Sequence, residues 1–180
     1  MKTVNDRQEF LNSLDLKDKY CVEIGVFRGD FSKMILEKNP LYLYLVDPFE
    51  HSLETYEGGR LTTAYSDEED YQIVLNRFKN EIENHRLFVV RAYSYNVAKY
   101  YSNAMFDFIY HDASHLYKDL KNDLEQWLPK LKENGLMCGH DYTDNYKDHV
   151  GRAVDEFCAE HNFEMFLFNQ QGGDFALRRK

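Results

Sequence analysis

The stretch Glu23-Ile24-Gly25-Val26-Phe27-Arg28-Gly29, set directly after the apolar run Tyr20-Cys21-Val22, limits what this chain can fold into more than any other part of it. It reads as a strand that ends in a glycine turn and feeds a helix, the local arrangement with which α/β proteins hold a nucleoside cofactor. A second acidic residue, Asp47, closes the next apolar run, Tyr42-Leu43-Tyr44-Leu45-Val46. Two carboxylates are thereby expected at the carboxyl ends of adjacent parallel strands.

Further apolar runs of strand length occur at Leu87–Arg91, Phe106–His111, Leu136–Gly139, Phe163–Asn169 and Phe175–Leu177. Several are apolar throughout rather than alternating, as expected where both faces of a sheet are covered. Between them run stripes of helical period: Tyr71, Val74, Leu75, Phe78 and Ile82; then Leu116, Leu120, Leu124, Trp127, Leu128 and Leu131; then Val150, Ala153, Val154, Phe157 and Cys158. Strand and helix alternating at this spacing predict a Rossmann-like three-layer α/β sandwich with a mostly parallel sheet. The last two strands leave no room for a helix and should pair as an antiparallel hairpin, with Gln171-Gly172-Gly173 as the turn. At 180 residues and 43% hydrophobic content, one domain over 1–180 is expected. Residues 1–19 form a helical lead-in, and 51–70 form a loop long enough to be a lid.

A dinucleotide fingerprint needs glycine at its first, third and sixth places, where this chain has Gly25, Phe27 and Asp30. Phe27 would crowd a pyrophosphate and Asp30 would repel it, which disfavours an NAD-dependent oxidoreductase. The spacing suits a cofactor that carries an amine and a sulfonium. Glu23 would meet its positive charge directly or through water, Gly25 would permit the tight turn, Gly29 would allow close packing of helix on strand, and Ser32 would add a hydroxyl. Asp47 is placed to accept from two ribose hydroxyls.

The second half of the chain adds Phe106-Asp107-Phe108-Ile109-Tyr110-His111-Asp112-Ala113-Ser114-His115, then Tyr117 and Asp123-Leu124, Leu128 to Gly135, and Gly139-His140-Asp141-Tyr142. With Val22 to Gly29 and Val46-Asp47-Pro48-Phe49, these blocks resemble class I S-adenosylmethionine-dependent methyltransferases, and among them the methyltransferase 24 family. The resemblance implies a seven-stranded sheet in the order 3-2-1-4-5-7-6 with the seventh strand antiparallel. It also implies that Glu23, Gly25, Val26, Phe27 and Gly29 wrap the methionine moiety and that Asp47, with Pro48, binds the ribose. Ser94 would lie near the adenine or else cap a helix, and Asp112 would border the cofactor. The chain departs from the family in having Asp112-Ala113 where Asp-Gly is common, and Asn134-Gly135 where proline-glycine or glycine-glycine is common.

Asp112, His115, His140 and Asp141 fall at the carboxyl ends of the fourth and fifth strands, facing the same crevice. A divalent cation such as magnesium is one explanation, with Asp112, Asp141 and His140 as ligands. Without metal, a histidine that titrates near neutrality can take the proton of an acceptor hydroxyl, with His115 the first candidate and His140 the second. His111 reads as a satisfied interior residue. The expected function is methylation, on oxygen, of a small hydroxylated molecule such as a sugar or phenol. A noncatalytic nucleoside-binding accessory protein is the alternative. The polar loop from Asp141 to Tyr146 would floor the acceptor pocket.

Lys plus Arg total 22 against 31 Asp plus Glu, a formal charge of −9, which speaks against nucleic acid as a partner. No apolar run approaches the ~20 residues of a membrane span, and the N-terminus lacks a signal-peptide core. A cytoplasmic protein is expected, with a homodimer compatible with the resemblance. The three cysteines lack metal-type spacing and read as reduced thiols.

Overall fold

A computed structural model describes residues 6–50, 67–142, 149–168 and 173–180. The seven strands are β1 (Tyr20–Ile24), β2 (Tyr42–Asp47), β3 (Leu87–Arg91), β4 (Phe106–His111), β5 (Leu131–Gly139), β6 (Phe163–Phe168) and β7 (Asp174–Arg179). They form one sheet in the order β3-β2-β1-β4-β5-β7-β6, as expected. The first five are parallel, and β7 runs antiparallel to both β5 and β6. The tips of β1, β2, β4 and β5 and the start of β7 therefore share one end of the sheet.

The helices are α1 (Arg7–Ser13), α2 (Asp30–Leu36), α3 (Asp67–Arg77), α4 (Lys79–Glu83), α5 (Ser94–Val97), α6 (Tyr117–Trp127) and α7 (Val150–His161). Alternation along the strands divides the core. Cys21, Leu43, Leu45, Phe108 and Tyr110 face Phe10 and Leu11 of α1, Phe31 and Ile35 of α2 and Val74 of α3. Val22, Ile24, Val46, Ile109 and Met137 face Leu120, Leu124 and Trp127 of α6 and Val154 and Phe157 of α7.

Several boundaries differ from the sequence reading, among them β7, which runs Asp174–Arg179 rather than Phe175–Leu177. β5 begins at Leu131, because a register shift between Phe106 and Phe108 lets Leu131 pair with β4 ahead of the main ladder. The stripe from Tyr71 to Ile82 is broken into α3 and α4 at Phe78, whose backbone leaves the helical region. Of the proposed lid, residues 51–66 lie outside the described residues, and Asp67 to Asp70 form the first turn of α3. The hairpin turn at Gln171-Gly172 also lies outside them. The three thiols are free, Cys21 and Cys138 buried and Cys158 half-buried.

Candidate active site

Gly25 sits at the tip of β1 with φ 86, and a Cβ there would stand 2.1 Å from the Asp112 carbonyl oxygen and 2.6 Å from the Ala113 nitrogen. Only glycine lets the turn close against the tip of β4. Asp47 then fixes the turn from β2. Its Oδ2 accepts from the amides of Val26 at 2.7 Å and Phe27 at 3.1 Å, and its Oδ1 accepts from that of Phe49 at 2.6 Å. A carboxylate has about four acceptor positions, so three are engaged and acceptor capacity remains. Between them, Pro48 carries the chain into Phe49, whose φ of 50 drops its ring into the core. Gly29 works differently from the reading above. The atom its Cβ would strike, at 2.6 Å, belongs to the Phe78 ring, so it admits the α3–α4 junction and not a strand. Arg28 and Arg77 strengthen that clamp: Arg28 Nε donates to buried Asp70 at 2.6 Å, and Arg77 donates to the Arg28 carbonyl at 2.8 Å.

Glu23 faces inward near the end of β1. Strand alternation turns it to the same side as Cys21, towards α2, and leaves it 1% exposed with the Ser32 hydroxyl donating to it. Burial, reinforced by Asp112 and Asp47, pushes its carboxyl well above the usual range despite the Ser32 bond. An inward-facing acid with a raised pKa supports the turn from below, and the Ser32 hydroxyl is engaged in holding it. Ser94 likewise does not cap a helix through its side chain. Tyr93 holds the cap position, and the buried Ser94 hydroxyl donates to Asp123 at 2.6 Å. Burial lifts the Asp123 carboxyl to about 6.

The four residues expected to converge at the next two strand tips do so. The Asp112 amide donates to the Ile24 carbonyl at 2.7 Å, and the His140 amide donates to the His111 carbonyl at 3.1 Å. Asp141 takes a left-handed backbone with φ 61, a conformation non-glycine residues adopt at a cost and which here aims its carboxylate between two imidazoles. His115 Nε2 lies 2.9 Å and His140 Nδ1 3.0 Å from Asp141 Oδ2, and His140 Nδ1 lies 3.6 Å from Asp112. Burial opposes ionisation of Asp141, yet the two imidazoles hold its carboxyl far below the ordinary value. Burial also opposes charge on His140, but Asp141 and Asp112 outweigh it and raise its pKa. Asp112 is raised by burial, partly offset by His140 and Arg7. The donor atoms of Asp112, His115 and Asp141 lie within 4.8 Å of one another, so His115 takes the place expected for His140 in a candidate cation set. Of the loop from Asp141 to Tyr146, residues from 143 lie outside the described ones.

Three further residues enter this site. Arg7 of α1 donates from Nε to Asp174 at 2.9 Å and approaches Asp112 with Nη2 at 3.4 Å. The Tyr110 hydroxyl donates to the same Asp174 oxygen at 2.7 Å, and Asp174 is fully buried. A polar residue opening an apolar last strand was the one sequence signal for Asp174. Arg7 carried none. His111 is another correction: it is buried, at 3% exposure, but neither ring nitrogen has a hydrogen-bond partner among the described residues. Alternation points it at the apolar α6–α7 face, and burial lowers its pKa to about 3.

The chain matches the family model described as a methyltransferase domain over residues 22–142. No curated protein matches its sequence. Solved structures share the fold. A Corynebacterium glutamicum protein superposes with a TM-score of 0.67 at 13% identity, covering 98% of this chain and 82% of its own. An S-adenosylmethionine-dependent O-methyltransferase from Thermotoga maritima gives 0.62 at 11% identity, covering 100% and 68%. A methyltransferase from Geobacter sulfurreducens gives 0.60 at 16%, covering 98% and 82%.

Proposed function

We propose that this chain, which belongs to the methyltransferase 24 family of class I S-adenosylmethionine-dependent methyltransferases, methylates a hydroxyl oxygen of a small molecule. When bound, the cofactor supplies an electrophilic methyl group on a sulfonium. The donor set suits it: a turn that only glycine can make at Gly25, and an Asp47 carboxylate that keeps acceptor capacity beside that turn. Methyl transfer is an in-line displacement, so the protein's work is to align the acceptor and remove its proton.

The observation that carries this reading is the His115–Asp141 pair. His115 is 41% exposed at the mouth of the crevice, with its Nε2 held at 2.9 Å by a carboxylate that remains ionised. An imidazole oriented by an acid in this way is a general base for a hydroxyl. His140, pressed among Asp141, Asp112 and Asp174, favours its charged form and balances the carboxylates instead. A second reading draws on the same atoms: Asp112, His115 and Asp141 would hold a divalent cation, which would polarise the acceptor oxygen.

Transfer of labelled methyl from S-adenosylmethionine to a panel of phenols and sugars tests the proposal. Transfer that persists in EDTA and disappears in His115→Ala supports the base. Transfer abolished by EDTA and restored by magnesium selects the cation. Cofactor binding with no transfer to any hydroxyl would leave the accessory-protein alternative in its place.

A further inference from the structure

The crevice is lined by acids, yet one guanidinium enters it. Arg7 starts α1, remote in sequence from every other group at the site, and its side chain is 25% exposed. It lies against the rings of Phe31 at 5.3 Å and Tyr110 at 5.8 Å, which fixes the plane of the group. Phe31 stands on α2, directly after the glycine turn, and Tyr110 on β4 stands two residues before Asp112, whose carbonyl meets Gly25. Arg7 therefore sits at the same tips that form the cofactor turn.

Its bonds are unequal. The Nε–Asp174 contact at 2.9 Å is a full charge-assisted bond, whereas the Nη2–Asp112 contact at 3.4 Å is long for one. Asp174 is fully buried and receives Arg7 Nε and the Tyr110 hydroxyl on one oxygen. A buried ion pair is a weak source of stability, because desolvation offsets most of its attraction. What this pair does provide is a guanidinium whose inner edge is fixed on Asp174 and whose outer edge keeps only the long contact to Asp112. That outer edge matches the two oxygens of a carboxylate. The other arginines beside the turn have their heads elsewhere: Arg28 on Asp70, Arg77 on Asp30 and Arg91 on Glu68.

We infer that Arg7 anchors the α-carboxylate of the cofactor's amino-acid tail, and that Asp174 positions it. The inference rests on the cofactor assignment made above. The lead-in helix is then part of the binding site, and the acids around it are left to the tail's ammonium group.

Calorimetric titration with S-adenosylhomocysteine and with its decarboxylated analogue, which keeps the amine and nucleoside, tests this. The wild-type protein should prefer the carboxylated ligand. Arg7→Gln should weaken S-adenosylhomocysteine binding about ten- to a hundredfold and leave the decarboxylated analogue unchanged, which also shows that the variant is folded. Arg7→Lys should retain part of the preference. Equal binding of both ligands by the wild type, or an intact preference in Arg7→Gln, overturns the inference while the cofactor assignment stands. Unchanged cofactor binding with a raised KM for an acidic acceptor overturns it too, by moving the anchored carboxylate to the acceptor. No binding of either ligand to the wild type overturns the assignment and the inference together.

Discussion

Gly25 and Asp112 meet so closely that a single added carbon on Gly25 would stand 2.1 Å from the Asp112 carbonyl oxygen. That approach joins the glycine turn after β1 to the carboxylate cluster after β4. Gly25→Ala must push the two tips apart, in a left-handed backbone that alanine disfavours, at a cost of about 1–3 kcal/mol. A lowered melting temperature together with weakened S-adenosylhomocysteine binding is the expected result. A variant as stable and as tight-binding as the wild type would refute the contact.

His115→Ala removes the base but touches neither Gly25 nor Asp47. Its kcat should fall by about 10²–10⁴, with S-adenosylhomocysteine affinity unchanged in a calorimetric titration. A loss of affinity with kcat preserved would place His115 in cofactor binding instead.

Glu23 carries a pH signature. Its folded carboxyl is raised well above the usual value of 4.5, so the folded chain keeps a proton that the unfolded chain sheds. The resulting stability is fully present below about pH 4.5 and is lost as pH rises towards the folded value. Glu23→Gln keeps the shape without the ionisation. Urea unfolding should show the variant gaining on the wild type as pH rises from 5 to 8. Parallel pH curves would show that the carboxyl is ionised in the fold.

His111 has the opposite sign. With its folded pKa lowered from 6.5 to about 3, the unfolded chain binds a proton that the folded chain refuses, and stability falls as pH drops through that window. His111→Leu removes both the penalty and two nitrogens without a partner among the described residues. It should stabilise the protein by about 1–3 kcal/mol at pH 5 and by less at pH 8, measured by urea unfolding. Equal effects at both pH values would contradict the buried, neutral imidazole.

Much of this was legible because it is local. The mostly apolar runs at Tyr20–Ile24 and Phe106–His111 matched β1 and β4 to the residue, since a strand covered on both faces is written as a largely apolar stretch. The placement of Asp112, His115, His140 and Asp141 followed from strand ends alone. What was not legible depends on geometry across the chain. Nothing around Arg7 marks it as a partner of Asp174, a residue 167 positions away. The inward turn of Glu23 follows from which strand face α2 covers, and the motif that contains it does not say. His111 carries an ordinary strand pattern, and only its neighbours show that its nitrogens go unmet among the described residues.

The central claim is that the cofactor lies across the tips of β1, β2 and β4, and a crystal structure of the S-adenosylhomocysteine complex tests it most directly. The ribose hydroxyls should reach the Asp47 carboxylate, and the homocysteine tail should lie over Gly25 beside Asp112. Density for the ligand at another edge of the sheet, with the Gly25 turn uncontacted, would contradict the account.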